Sequence, residues 1–107
     1  MRGAIPRKIK ISEREITKSI KSLLSQFGVW HFKHFGGLYA PKGIPDIIGI
    51  LPGGKFFGLE VKVIGGRVSV DQERVMQNIR ESGGIAGVVH SVDEVVELLN
   101  LKRGMLF

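Results

Sequence analysis

Apolar residues recur along this chain with two different periods, and the switches between them lay out the elements. Ile16, Ile20, Leu23, Leu24 and Phe27 form one stripe at helical spacing. Ser12-Glu13-Arg14-Glu15 in front of it reads as a capping box, Ile11 can staple onto Ile16, and Gly28 ends the helix. Val29 to Phe35 reads as a strand and Gly36 to Gly43 as a glycine-rich loop. Two apolar runs, Ile44 to Leu51 and Lys55 to Val63, then flank Pro52-Gly53-Gly54 as a hairpin. Both arms are apolar on both faces, which predicts central, covered strands. Ser69 caps a second helix with Val75, Met76 and Ile79 inward, stopped by Gly83-Gly84. Ile85 to His90 is a further strand, and Ser91-Val92-Asp93-Glu94 a further capping box, for a helix reaching about Leu99. The order α-β-β-β-α-β-α predicts an α/β fold with a mixed central sheet flanked by helices. A basic arm (1–11) and an apolar tail (100–107) lie outside this core, within one domain spanning all 107 residues.

Composition narrows the function classes. No apolar run approaches the roughly 18 residues of a membrane span. Met1 to Pro6 runs into Arg7-Lys8 without an apolar signal core, so the expected location is intracellular, in the cytoplasm. The absence of cysteine removes disulfides, thiolate zinc sites and a thiol nucleophile. The formal charge is +6, and seven of the sixteen Lys and Arg fall within the first 21 residues: Arg2, Arg7, Lys8, Lys10, Arg14, Lys18 and Lys21. Such a field attracts polyanions, with binding that weakens as salt rises.

Glu60 and Lys62 are two apart on a strand and project from the same face. Asp46 opens the partner strand. A three-residue loop of Pro52-Gly53-Gly54 pairs Leu51 with Lys55 and sets Asp46 opposite Glu60, whereas a two-residue Gly53-Gly54 turn would pair Asp46 with Val61 and turn it away. The odd loop is therefore expected. Two carboxylates brought together repel unless a cation compensates. Oxygen donors beside an ammonium suit Mg²⁺ or Mn²⁺, ions that polarise a scissile phosphate and lower the pKa of a bound water. Lys62 is then placed to orient that water, assist its deprotonation or neutralise transition-state charge. A Glu-x-Lys pair is ordinarily a surface feature and Pro-Asp ordinarily a turn, but within apolar strands an uncompensated carboxylate is costly. Glu13 falls within the arc of Ile16, Ile20 and Phe27, while Glu15 points away and is accounted for by capping. Gln72 shares a face with Val75, Met76 and Ile79, yet Ser69-x-x-Gln72 is itself a capping box, so both roles stay open.

Gly43-Ile44-Pro45-Asp46-Ile47-Ile48-Gly49, Gly54-Lys55-Phe56-Phe57-Gly58-Leu59-Glu60-Val61-Lys62, Gln72 and Ser82-Gly83-Gly84-Ile85-Ala86-Gly87-Val88-Val89 together resemble the virus-type replication-repair nuclease (VRR-NUC) domain of the PD-(D/E)XK nuclease superfamily. The likeness covers roughly Ser12 to Leu99. It implies a restriction-endonuclease-like αβββαβ core in which Asp46, Glu60 and Val61 hold Mg²⁺ or Mn²⁺. Lys62 then matches the catalytic lysine, Glu13 the first-helix acid and Gln72 the glutamine of the following helix. Lys33 matches a basic position ahead of the Pro-Asp. The expected activity is metal-dependent endonucleolytic hydrolysis of DNA by a homodimer, with branched DNA such as four-way junctions as the expected substrate. Arg7, Lys8, Lys10, Lys33 and Lys42 are the expected nucleic-acid contacts.

Two other readings compete: a non-catalytic nucleic-acid-binding module, and a restriction-type enzyme, for whose recognition domain the chain leaves little room. His31 and His34 face opposite sides of a strand and no cysteine completes a set, which disfavours zinc. Neither Gly36-Gly37 nor Gly65-Gly66 is followed by the Gly-Lys-Ser/Thr of a phosphate loop. The serines lack a positioned histidine and mostly start helices. Trp30 and Tyr39 are single aromatics, of the kind that stack on bases or pack in cores and loops.

Overall fold

The computed structural model describes residues 10–102; Arg7 and Lys8 of the basic arm and residues 103–107 of the tail lie outside them. The elements follow the predicted order: α1 (Glu13–Gln26), β1 (Trp30–Lys33), β2 (Ile47–Ile50), β3 (Phe56–Val61), α2 (Val70–Glu81), β4 (Ile85–Val89) and α3 (Val92–Leu99). The strands form one sheet in the order β1-β2-β3-β4. β1–β2 and β2–β3 are antiparallel, whereas β3–β4 is parallel and uses α2 as its crossover. This is the mixed α/β sheet flanked by helices that the apolar pattern predicts.

α1 and α3 share one core with the sheet, in which Ile20, Leu24, Ile47, Phe57, Leu59 and Val95 are fully buried. α2 lies on the opposite face, where Ile79 and Pro45 close over Gly58. The strands are shorter than the apolar runs. Beyond Lys33↔Ile47 the β1–β2 ladder gives way to a single bond, His34 N–H to the Asp46 carbonyl at 2.7 Å. The expectation that both hairpin arms are covered on both faces holds for β3 but not for β2. α2 packs mainly on β3 and β4, and Ile50 of β2 is 42% exposed, with Trp30 and Phe32 of the edge strand β1 exposed beside it. Those two rings meet edge to face, with centroids 5.5 Å apart.

The hairpin has the odd loop. Leu51 N–H donates to the Lys55 carbonyl and Gly54 N–H to the Leu51 carbonyl, both at 2.8 Å. Pro52 and Gly53 occupy the centre of that turn, and Gly53 has φ +98°, the sign a type II turn demands at its second central position. The resulting register pairs Ile47 with Leu59, so Asp46, one residue earlier, stands opposite Glu60.

The caps of α1 and α2 are reciprocal. Ser12 N–H donates to Glu15 and Glu15 N–H to Ser12 Oγ; Ser69 and Gln72 repeat the arrangement. At α3 the box is only half made. Ser91 Oγ accepts the Glu94 N–H at 3.2 Å, but the Glu94 carboxylate reaches past Ser91 to the backbone N–H of His90 at 2.9 Å. His90 Nδ1 stands at the same distance from that oxygen, so one carboxylate meets backbone and ring together.

Candidate active site at the strand ends

Five elements deliver their groups to one end of the sheet. β1 ends on Lys33, β2 is entered from Asp46, and β3 ends on Glu60 and Val61 with Lys62 just beyond; Glu13 is the first residue of α1 and Gln72 the third of α2. Antiparallel pairing brings the start of β2 beside the end of β3, and the parallel β3–α2–β4 unit opens a crevice at its strands' carboxyl ends.

Asp46 is half-buried and held from two sides. Its Oδ2 accepts the Val61 N–H at 2.9 Å, and its Oδ1 lies 3.9 Å from Lys33 Nζ. Lys33 also donates to the His34 carbonyl at 3.1 Å and stands 5.1 Å from the centre of the Phe35 ring. Glu60 is 2% exposed. Its Oε2 accepts from Gln72 Nε2 at 3.0 Å and lies 3.7 Å from Lys62 Nζ. Its Oε1 is buried with no hydrogen-bond partner. Burial, and next the adjacent Asp46 carboxylate, push the Glu60 carboxyl up to about 8, with Glu13 adding to the rise and Lys62 opposing it.

Both readings of Gln72 are realised by one side chain. Its carbonyl oxygen accepts the Ser69 N–H at 2.8 Å, completing the cap, while its amide nitrogen donates to Glu60. Glu13 is exposed and lines a cleft of about 860 Å³ together with Asp46, Lys33, Arg14, Lys18 and Lys21; Glu15, expected to point away, borders the same cleft, although its carboxylate is taken up by the Ser12 cap. A second cleft of about 540 Å³ also reaches Asp46, between the 36–43 loop and the start of α2; Lys42 and Gln72 line it. Lys10 lies in neither cleft and instead lines a hollow with Ile11, Ser12, Val63 and Ile64. Arg14, Lys18 and Lys21 are additions to the cleft cations expected from the sequence. Their i, i+4, i+7 spacing is visible in the chain, but only the packing of α1 against the sheet sets them along the cleft that reaches Asp46.

Among the described residues no group of three or more His, Cys, Asp or Glu is placed to hold a metal ion. The donor set is instead two carboxylates facing across adjacent strands, with one buried oxygen lacking a partner. Hard oxygen donors of this number fit an Mg²⁺-like ion, which keeps several waters and is rarely enclosed by protein alone.

The fold is thus a mixed α/β sheet with an acid pair and a lysine at its strand ends. The chain matches the VRR-NUC domain over residues 9–93, a span containing Glu13, Asp46, Glu60, Lys62 and Gln72, and it belongs to that family. It is similar to a solved structure described as a VRR-NUC domain, 25% identical, with a TM-score of 0.68 over 84% of this chain and 97% of that one. A second, described as a VRR-NUC domain protein, is 14% identical and shares the fold, with a TM-score of 0.67 over 86% of this chain and 88% of its own. Among curated proteins there is no match. No helix of the described residues is long and apolar enough to cross a membrane.

Proposed function

We propose that the chain is a divalent-metal-dependent endonuclease that hydrolyses DNA phosphodiester bonds, with branched DNA as its substrate. The observation that carries this reading is Glu60, a carboxyl buried inside the sheet opposite Asp46, with one oxygen unpartnered and an ammonium 3.7 Å from the other. A module that only binds nucleic acid needs surface cations and gains nothing from buried acids, which cost stability.

Asp46, Glu60 and Val61 are the groups that would hold Mg²⁺ or Mn²⁺, which when bound supplies Lewis-acid polarisation of the phosphate and a water of lowered pKa. Gln72 and Lys62 fix the Glu60 carboxyl from two directions, and Lys33 and the Val61 N–H fix Asp46. Lys62 brings positive charge to the side of the site where phosphate charge builds up. Glu13 faces the same cleft as a third acid. Lys33 and Lys42, with Arg14, Lys18 and Lys21, offer phosphate contacts along the two clefts, and Arg7, Lys8 and Lys10 of the arm add to the basic charge of the chain.

The test is a panel of labelled junctions, flaps, single strands and duplexes digested with Mg²⁺ or Mn²⁺. Asp46→Asn, Glu60→Gln and Lys62→Ala should each cut the rate by about a hundredfold or more while retaining DNA affinity measured in Ca²⁺. Parental cleavage by Asp46→Asn in matched metal overturns the assignment. Paired nicking of a junction further calls for two sites, which a homodimer supplies. The bare apolar face of β1 and β2 supports such an assembly. Sedimentation at twice 11.8 kDa is the expected result, and a monomer that nicks both strands in concert excludes it.

A further inference from the structure

Phe35 lies two residues beyond the end of β1 and is 78% exposed. Its ring is held from within by the Lys33 ammonium, 5.1 Å from the centroid. Space opens directly after it, since a Cβ placed on Gly36 or Gly37 would meet nothing within 4 Å. Exposing a large apolar ring beside a polar cleft gains nothing for folding, which favours burying such area.

The two clefts share just three lining residues: Lys33, Phe35 and Asp46. One cleft runs along the cationic stripe of α1, Arg14, Lys18 and Lys21. The other runs between Lys42 and the N-terminal turn of α2. The first cleft carries one more cation than acid, with Glu13 and Glu15 in its lining, and the second balances Lys33 and Lys42 against Asp46 and Asp71 beside the backbone N–H groups that open α2; the two meet at the proposed scissile position, where Phe35 lines both. A continuous duplex has its bases stacked and no use for that ring. DNA whose two arms part at the site fills both clefts and presents an unstacked base where they separate, and a base of any identity stacks on an aromatic.

We infer that Phe35 stacks on the base exposed at a DNA branch point and divides the two arms between the clefts. The inference rests on the nuclease reading for its choice of DNA, and deepens it by naming what distinguishes branched from linear substrate. The experiment uses the full chain in Ca²⁺ with a three-way branched DNA carrying 5-iodouracil at the branch, and a continuous duplex carrying it at the same position. Long-wave irradiation should cross-link the branched DNA to the peptide containing Phe35. Phe35→Leu should lose that cross-link and lower the branched-to-linear affinity ratio by roughly fivefold or more, as for loss of one stacked base, while Phe35→Trp keeps both. Taking the ratio cancels any change in how Lys33 sits, since Lys33 lines both clefts. A parental cross-link that maps elsewhere, or a ratio within twofold of the parent in Phe35→Leu, overturns the inference. Cutting with Mg²⁺ or Mn²⁺ is scored separately: cross-linking without cleavage sinks the nuclease reading and leaves Phe35 standing, and cleavage with an unchanged ratio does the reverse.

Discussion

Gln72 donates its side-chain amide to Glu60 Oε2 at 3.0 Å while its carbonyl oxygen accepts the Ser69 N–H, so a helix cap and a buried carboxyl share one residue. The two jobs separate by mutation. Ser69→Ala removes the hydroxyl that accepts the Gln72 N–H and should cost about 1 kcal/mol with cleavage within a few-fold of the parent. Gln72→Leu removes both bonds, and should lower the melting temperature at least as much and the cleavage rate by about tenfold or more. Melting curves and single-turnover rates on the same samples check the pair. Equal activity losses in the two variants would contradict the division.

The raised Glu60 carboxyl carries a pH dependence. Its value stands at about 8 in the folded chain against 4.5 for the free group. The folded state thus holds a proton that the unfolded chain has released, and the associated stability is full below about 4.5 and declines as pH rises towards 8. In chelator, the parent should melt progressively earlier over that window. Glu60→Gln, which cannot ionise, should flatten the decline and melt later than the parent at pH 8. Superimposable melting profiles for parent and variant would remove the account of Glu60 as a buried, proton-retaining acid.

Glu13 and Glu15 are two residues apart with different work. Glu15 accepts both the Ser12 N–H and hydroxyl, which hold its carboxyl below the usual range, and Glu15→Gln retains a capping side chain. Glu13 has no cap to make and contributes to the field at Glu60. Glu13→Gln should therefore reduce cleavage by about tenfold or more, and Glu15→Gln by less than about threefold. Matched rate losses, with both variants folded, would refute the assignment of Glu13 to the site.

Gly43 and Gly53 both have positive φ, +86° and +98°, but only one is crowded. A Cβ on Gly43 would run into the Asp71 carbonyl at the start of α2, whereas one on Gly53 meets nothing. Gly53→Ala should cost about 1 kcal/mol of backbone strain. Gly43→Ala should cost more, and it should also slow cleavage, because the segment it displaces carries Gln72. Thermal unfolding and kinetics of the two variants provide the comparison.

The element order, the two reciprocal caps and the opposition of Asp46 and Glu60 were legible because each follows from local rules: periodicity, capping pairs and the length of one loop. The open outer face of β2 was not, because apolar residues on both faces of Ile47–Ile50 read as coverage, and only the placement of α2 over β3 and β4 reveals otherwise. The half-made box at α3 escaped for a similar reason. Ser91 and Glu94 have the right spacing, but His90 offers a competing pair of nitrogens. Phe35 and the cationic stripe of α1 acquire meaning only once the packing of α1 and the end of β1 sets them along the cleft that reaches Asp46.

All the groups proposed for chemistry precede Ser82. The remaining elements, β4 and α3, add none of them, yet β4 pairs with β3 from Phe57↔Ile85 to Val61↔Val89, and Lys62 N–H donates to the Val89 carbonyl at 3.1 Å. The chain thus divides, at the exposed turn around Gly83, into a longer piece equipped with the reacting groups but lacking a wall and a shorter piece that is only wall. Such a division is the natural place for a split reporter: an inert fragment would license its partner by completing the sheet, and the readout of their meeting would be a cut strand.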